Sequence, residues 1–218
     1  DLDKKIINKK INKDKKFITL PKKTIPVGSA RNFNFKKSIK KRNKKLNILY
    51  ITSNSGILKD IDTKSLYMFI ECLKKVKLDY NLYIKNRPNY QNKRLKNVSD
   101  SNLYYISDMP TEKIINQCDL IVGTFTASLI QSIYFQKITL QLNADNFFWG
   151  NFRDAKLLYA NNKNQIIMIL ETIKNRKFTS KILKKQNKFK AKYFLDKNIS
   201  PKLKIYKSIF KWYTIIKI

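Results

Sequence analysis

Four clusters of polar side chains stand where apolar runs of this 218-residue chain end. Ser53, Asn54, Ser55 and Gly56 follow the run Asn47 to Thr52. Lys85 and Arg87 follow Tyr80 to Ile84, just ahead of Pro88. Asp108 and Met109 follow Leu103 to Ile106, and Thr124, Thr126 and Ser128 follow Asp119 to Gly123, with Gln131 one turn further on. Together these residue types can hold an anion. Hydroxyls and amides donate hydrogen bonds, a Lys brings a compact charge, and an Arg can grip a phosphate through two parallel bonds. A helix that begins at Thr124 to Ser128 adds unpaired N–H groups and a partial positive charge. This last turn is read as the centre of a nucleotide-binding site. Each cluster also has a plainer account: hydroxyls cap helices, Gly and Ser close βα turns, and Lys85 and Arg87 are two cations among 47 basic residues.

Composition narrows the chemistry further. There is no histidine, so Ser-His triads, imidazole acid–base work and His-ligated metal are excluded within this chain. No pair of carboxylates forms a convincing acid–base couple, and no metal site or disulfide framework is suggested by Cys72 and Cys118, which read as buried thiols within apolar helical stretches in a reducing compartment. The formal charge is +32, yet only six of the basic residues are Arg. Lys, Asn and Ile are spread through every part of the chain, as an AT-rich coding bias would leave them. A dedicated nucleic-acid face would concentrate Arg instead. Such charge still attracts polyanions, and a peripheral place on an anionic membrane surface is compatible with it. No apolar run approaches the roughly 20 residues that span a bilayer, and no secretory leader pattern is visible. The chain begins at Asp1 with no Met, as a piece of a longer protein would.

The elements that must position these clusters can be read from periodicity. The β-branched and aromatic runs at 47–52, 80–84, 103–106, 119–122, 138–142 and 157–159 are strands. Between them, Thr63 to Val76 carries Leu66, Phe69, Ile70 and Leu73 at helical spacing, with Asp62 or Thr63 as its cap. Thr111 opens a short helix with Glu112 in its first turn, the segment Thr124 to Ser128 opens another that runs to Gln136, and Gln165 to Ile173 is amphipathic. Strands alternating with helices at this spacing predict an α/β fold, a Rossmann-like parallel sheet with helices on both faces. In such sheets ligands sit beyond the strands' carboxyl ends. The expected layout is a basic N-terminal arm over 1–22, a nucleotide-binding domain over 23–176, and tail helices over 177–218.

The order of these strand ends resembles the nucleotide-binding C-terminal domain of GT-B glycosyltransferases, most closely those that build surface and capsular polysaccharides. The resemblance rests on a strand ending in the Ser53 to Gly56 turn, the K-x-R-P of Lys85 to Pro88, the loop at Asp108, the DLIVG strand, and the Thr/Ser-rich helix start. It covers Lys23 to Ile173, about two-thirds of the chain; VGSAR at Val27 to Arg31 is similar to the family's entry into the domain, and KYFLDKNISPKLKIYKSI to its closing helix. The likeness implies that Ser53 to Gly56 face the donor's phosphates, that Asp108 and Met109 pack on the base, that Thr124, Thr126 and Ser128 receive the diphosphate or sugar, and that Gln131 meets the ribose. Two positions depart from the pattern. Arg87 stands where the family usually has His, which keeps phosphate binding but not proton delivery, and Gln131 stands where many members have Glu.

What the resemblance implies is transfer of a sugar or polyol phosphate from a nucleotide-activated donor to a glycan or lipid-linked acceptor, in the cytoplasm or at the inner face of the membrane. The nucleotide-sugar is a substrate and no cofactor is expected, since cations and a helix dipole stabilise the leaving phosphate. The catalytic base would come from an N-terminal domain outside this chain, so no catalytic residue is assigned. Two other readings compete. A basic nucleic-acid binder is suggested by cations between aromatics over Lys181 to Tyr193, against which stand the scattered Lys and the enclosed sheet. A sugar-nucleotide epimerase of the same fold would lean on histidine and carboxylates that this chain lacks.

Overall fold

The computed structural model describes residues 45–53, 59–86, 100–106, 108–144, 158–175 and 179–193. Six strands form one sheet: β1 (Leu46–Ile51), β2 (Tyr80–Lys85), β3 (Leu103–Ile106), β4 (Leu120–Gly123), β5 (Ile138–Leu142) and β6 (Leu158–Ala160). Their order is β3-β2-β1-β4-β5-β6, and every neighbouring pair is parallel. Among the described residues five helices accompany them: α1 (Lys59–Val76), α2 (Thr111–Gln117), α3 (Ser128–Tyr134), α4 (Lys163–Lys174) and α5 (Thr179–Tyr193).

This is the expected Rossmann-like α/β sheet, and its pattern explains why the central strands are apolar on both faces. Ile48, Tyr50, Leu82, Ile84, Val122 and Leu140 share a core with Leu66, Phe69 and Leu73 of α1 and Ile166 and Leu170 of α4. Residues that alternate with these point to the opposite face. There Leu49 and Ile121 are fully buried, as are Ile115 of α2 and Leu129 and Ile133 of α3. A sheet covered on both faces by crossover helices requires this double burial.

Local boundaries differ from the sequence reading in instructive ways. Helix α1 starts at Lys59 and not at Thr63; its first turn holds Asp60 and Asp62, which the helix dipole favours there, but too few apolar residues to show a period. Helix α4 opens two residues early because the Asn162 side chain accepts a hydrogen bond from Gln165 N, a standard cap. Helix α3 stops at Tyr134 because Gln136 takes φ 57, and Lys137 N then donates to Ser132 O; this is the αL ending that usually carries Gly. Cys118 is buried as expected but forms the cap after α2, outside the helix.

By contact density the chain divides into a unit Lys36–Asn187, which contains the whole sheet, and a unit of Asp1–Phe35 with Lys188–Ile218. Within the first unit, Ile182 and Leu183 of α5 pack on the core, and Gln186 Nε2 donates to Thr139 O. The expected N-terminal arm, the VGSAR segment and most of the expected tail lie outside the described residues. Among the described residues no helix is long and apolar enough to cross a membrane.

Candidate functional site

In the strand order seen here the direction of winding reverses between β1 and β4, and a crevice opens at the carboxyl ends of such a pair. The register brings those ends level. Ile51 is opposite Lys85 on one side and Gly123 on the other, Lys85 is opposite Ile106, and Gly123 is opposite Gln141. The turns that follow carry Ser53, Lys85, Asp108 with Met109, and Thr124 to Ser128. All four described clusters therefore emerge along one edge of one sheet, as their spacing predicts. Asn54, Ser55, Gly56 and Arg87 lie outside the described residues.

At the crevice the chain is held by Asp62. Its side chain, only 1% exposed, accepts from Ser53 N at 2.8 Å and from Ser53 Oγ at 2.6 Å. Its other oxygen accepts from Thr124 Oγ1. The Tyr50 hydroxyl donates to the Asp62 carbonyl at 2.9 Å. On one side, Thr52 N and Oγ1 both donate to Lys85 O, and on the other Gln141 Nε2 donates to Thr124 O at 3.0 Å. A continuous polar network thus runs from the end of β2 through β1 and β4 to β5. Burial raises the Asp62 carboxyl above its ordinary range, and the bonds from Ser53 and Thr124 oppose that rise.

Each expected site residue has a definite place. Ser53 and Thr124 are buried, and both commit their protons to Asp62, so they fix the turns in place. Thr126 is buried and its Oγ1 accepts from Ser128 N at 3.3 Å. Leu129 N goes to Thr126 O and Ile130 N to Ala127 O. The N–H groups of Ser128, Leu129 and Ile130 are therefore bonded within the turn, while Ala127 is the N-cap and offers no side-chain cap. Ser128 itself is half-buried. Lys85 is 7% exposed; burial lowers its ammonium pKa and nearby Asp108 partly restores it. Asp108 is exposed and Met109 half-buried in the loop ahead of α2. Gln131 donates from Nε2 to Glu112 Oε1 at 3.0 Å and ties α3 to α2.

Two residues that matter here were placed differently by the sequence. Asp62 reads as a helix cap, yet its carboxylate turns back to the strand ends. Glu112 reads only as a favourable charge in a first helical turn, and its contact with Gln131 spans 19 residues. An acidic residue one turn into a helix that follows a Ser-bearing strand end is the signal that points to Asp62. Among the described residues no group of three or more His, Cys, Asp or Glu could hold a metal ion.

Gly123 sets how closely the two central turns approach. A Cβ there would stand 2.6 Å from Ile51 O, far inside contact distance, so only glycine lets β4 end against β1 in this way.

No protein-family model matches the chain, and no curated protein does. Solved structures do. The spinosyn rhamnosyltransferase SpnG complexed with thymidine diphosphate aligns with TM-score 0.51 and 13% identity over 69% of this chain and 43% of that one. HepE of Anabaena in complex with UDP and glucose gives TM-score 0.53 and 10% identity over 77% and 49%. A variant of the wall teichoic acid polymerase TagF gives TM-score 0.53 and 11% identity over 81% and 45%. This chain spans less than half the length of each. At such identities the likeness is one of fold, a Rossmann-like parallel sheet that these three structures also contain.

Proposed function

We propose that this chain is the donor-binding part of a glycosyltransferase, one that transfers a sugar or polyol phosphate from a nucleotide-activated donor during surface polysaccharide assembly. The observation that carries this reading is the level register of Lys85, Ile51 and Gly123, which gathers the polar turns at the switch point of a six-stranded parallel sheet. Three facts about neighbours of the same fold support it: one is complexed with thymidine diphosphate, one with UDP and glucose, and one is a wall teichoic acid polymerase.

In this reading the donor's phosphates meet Lys85 and Ser128 Oγ, and Asn54, Ser55, Gly56 and Arg87 are assigned to the same phosphates from the sequence alone, while Ser53, Thr124 and Thr126 hold the described strand ends in place. The Lys85 ammonium, beside Asp108 at the carboxyl end of β2, is a cation of the kind that forms a charge-assisted bond with a phosphate oxygen. The base rests on Asp108 and Met109, and Gln131 with Glu112 beside it meets the ribose. An acceptor hydroxyl attacks the activated carbon or phosphorus, that centre's bond to the nucleotide phosphate breaks, and the cations stabilise the charge that develops on the leaving oxygen. The group that takes the acceptor's proton, and the acceptor site itself, belong to a part of the enzyme beyond this chain. A peripheral place on an anionic membrane surface is compatible with the charge of +32.

A thermal-shift titration with UDP, CDP and TDP at moderate salt tests the reading. Saturable stabilisation by one of them, abolished in Arg87→Ala combined with Ser128→Ala, is the expected result. Salt-sensitive binding of any oligonucleotide, with no effect of the mononucleotides, would replace this reading with nucleic-acid binding.

A further inference from the structure

We infer that Asp62 is the positioning residue of the strand-end site: its buried carboxylate clasps the turn after β1 to the turn after β4 and so sets where the phosphate-facing groups stand. This deepens the donor-binding reading and rests on it.

The geometry is specific. One carboxylate receives the backbone N–H and the hydroxyl of Ser53, at 2.8 and 2.6 Å, and the hydroxyl of Thr124. Ser53 is the second residue after the end of β1, and Thr124 is the first residue of the turn that leads from β4 to Ser128. A displacement of Thr124 moves the turn that carries Ser128, and a displacement of Ser53 moves the end of β1 beside Lys85. Asp62 itself is fixed from below, since Tyr50 OH donates to its carbonyl at 2.9 Å, and its helix is packed against the sheet through Leu66, Phe69 and Leu73. A carboxylate is an expensive way to join two turns, because an apolar residue of similar volume often serves stability equally well or better. What a carboxylate adds is direction: it accepts three donors at once and aligns them, as a side chain limited to packing cannot.

Isothermal titration of the protein with UDP, CDP and TDP tests this, using Asp62→Asn, Thr124→Val, the double variant, and Ile173→Ala as a core control in α4. The expected result is that each of the first two weakens the nucleotide that binds by about fivefold or more, and that the double variant is no weaker than the worse single one, because both remove one shared device. Ile173→Ala should lower the melting temperature and leave the affinity unchanged. Should Asp62→Asn fail to fold, Thr124→Val carries the same expectation alone. Wild-type-like affinity in the variants, losses that multiply in the double variant, or an equal loss in Ile173→Ala would overturn the inference while the donor-binding reading stands. Absence of binding by the wild type to all three nucleotides would overturn both.

Discussion

At the scale of single residues, the site is built from groups whose protonation is disturbed by burial. Asp62 has its carboxyl raised, first by desolvation, with the bonds from Ser53 and Thr124 working the other way; Tyr50 lies against it and is raised by burial and by that charge. The sign of the consequence follows from linkage. A folded-state value above the ordinary 3.8 means the folded chain holds the proton more tightly, so this group's contribution is complete below that value and is lost as pH rises through the folded value. Wild type is therefore expected to lose stability relative to Asp62→Asn as pH climbs from about 4, read from urea midpoints across a pH series. A difference between the two that does not change with pH would contradict it. Lys85 makes a second prediction: Lys85→Ala should weaken nucleotide binding by roughly 10- to 100-fold, the size of a charge-assisted bond, read by isothermal titration; unchanged affinity would contradict it. Residue types alone made Ser53, Lys85, Thr124 and Ser128 legible as a polar rim. They did not show that the hydroxyls of Ser53 and Thr124 are committed to Asp62, because that depends on the turn of one side chain across a contact of 62 residues in sequence.

At the scale of elements, strands were the most legible parts. β3 and β5 fall on the expected residues and the other four within one, since apolar runs closed by Ser, Thr, Gly or Pro leave little choice. Helix ends were less so. The start of α1 lacks apolar residues, and the end of α3 depends on Gln136 adopting a left-handed conformation that its type does not announce. The α4 cap at Asn162 was hidden by the neighbouring Lys and Asn. The clearest element-level prediction concerns the junction of β1 and β4. Gly123→Ala places a methyl group 2.6 Å from the Ile51 carbonyl oxygen, and that oxygen belongs to a central strand that cannot yield cheaply. A loss of about 1–3 kcal/mol is expected, measured by urea denaturation, together with weaker nucleotide binding as the two turns are pushed apart. Unchanged stability would mean that the strands separate more easily than this packing implies.

At the scale of the whole molecule, the sheet order matters more than any motif, because it alone decides that turns from distant parts of the sequence share an edge. Alternation of strands and helices made the parallel sheet legible, and right-handed crossovers with that order make the switch point fall between β1 and β4. The net charge, so prominent in composition, contributes little to this argument. Lys side chains at 181, 184, 185 and 188 are exposed, where water and salt screen their charge. The central claim is that a nucleotide binds at the carboxyl edge of the sheet, and amide NMR spectra recorded during titration with UDP, CDP and TDP test it most directly. The account predicts that shifts gather at Lys85, Asp108, Met109 and Thr124 to Gln131. Shifts confined to Asn47, Asp79, Asn102 and Asp119 at the opposite edge, or no shifts with any of the three nucleotides, would contradict it.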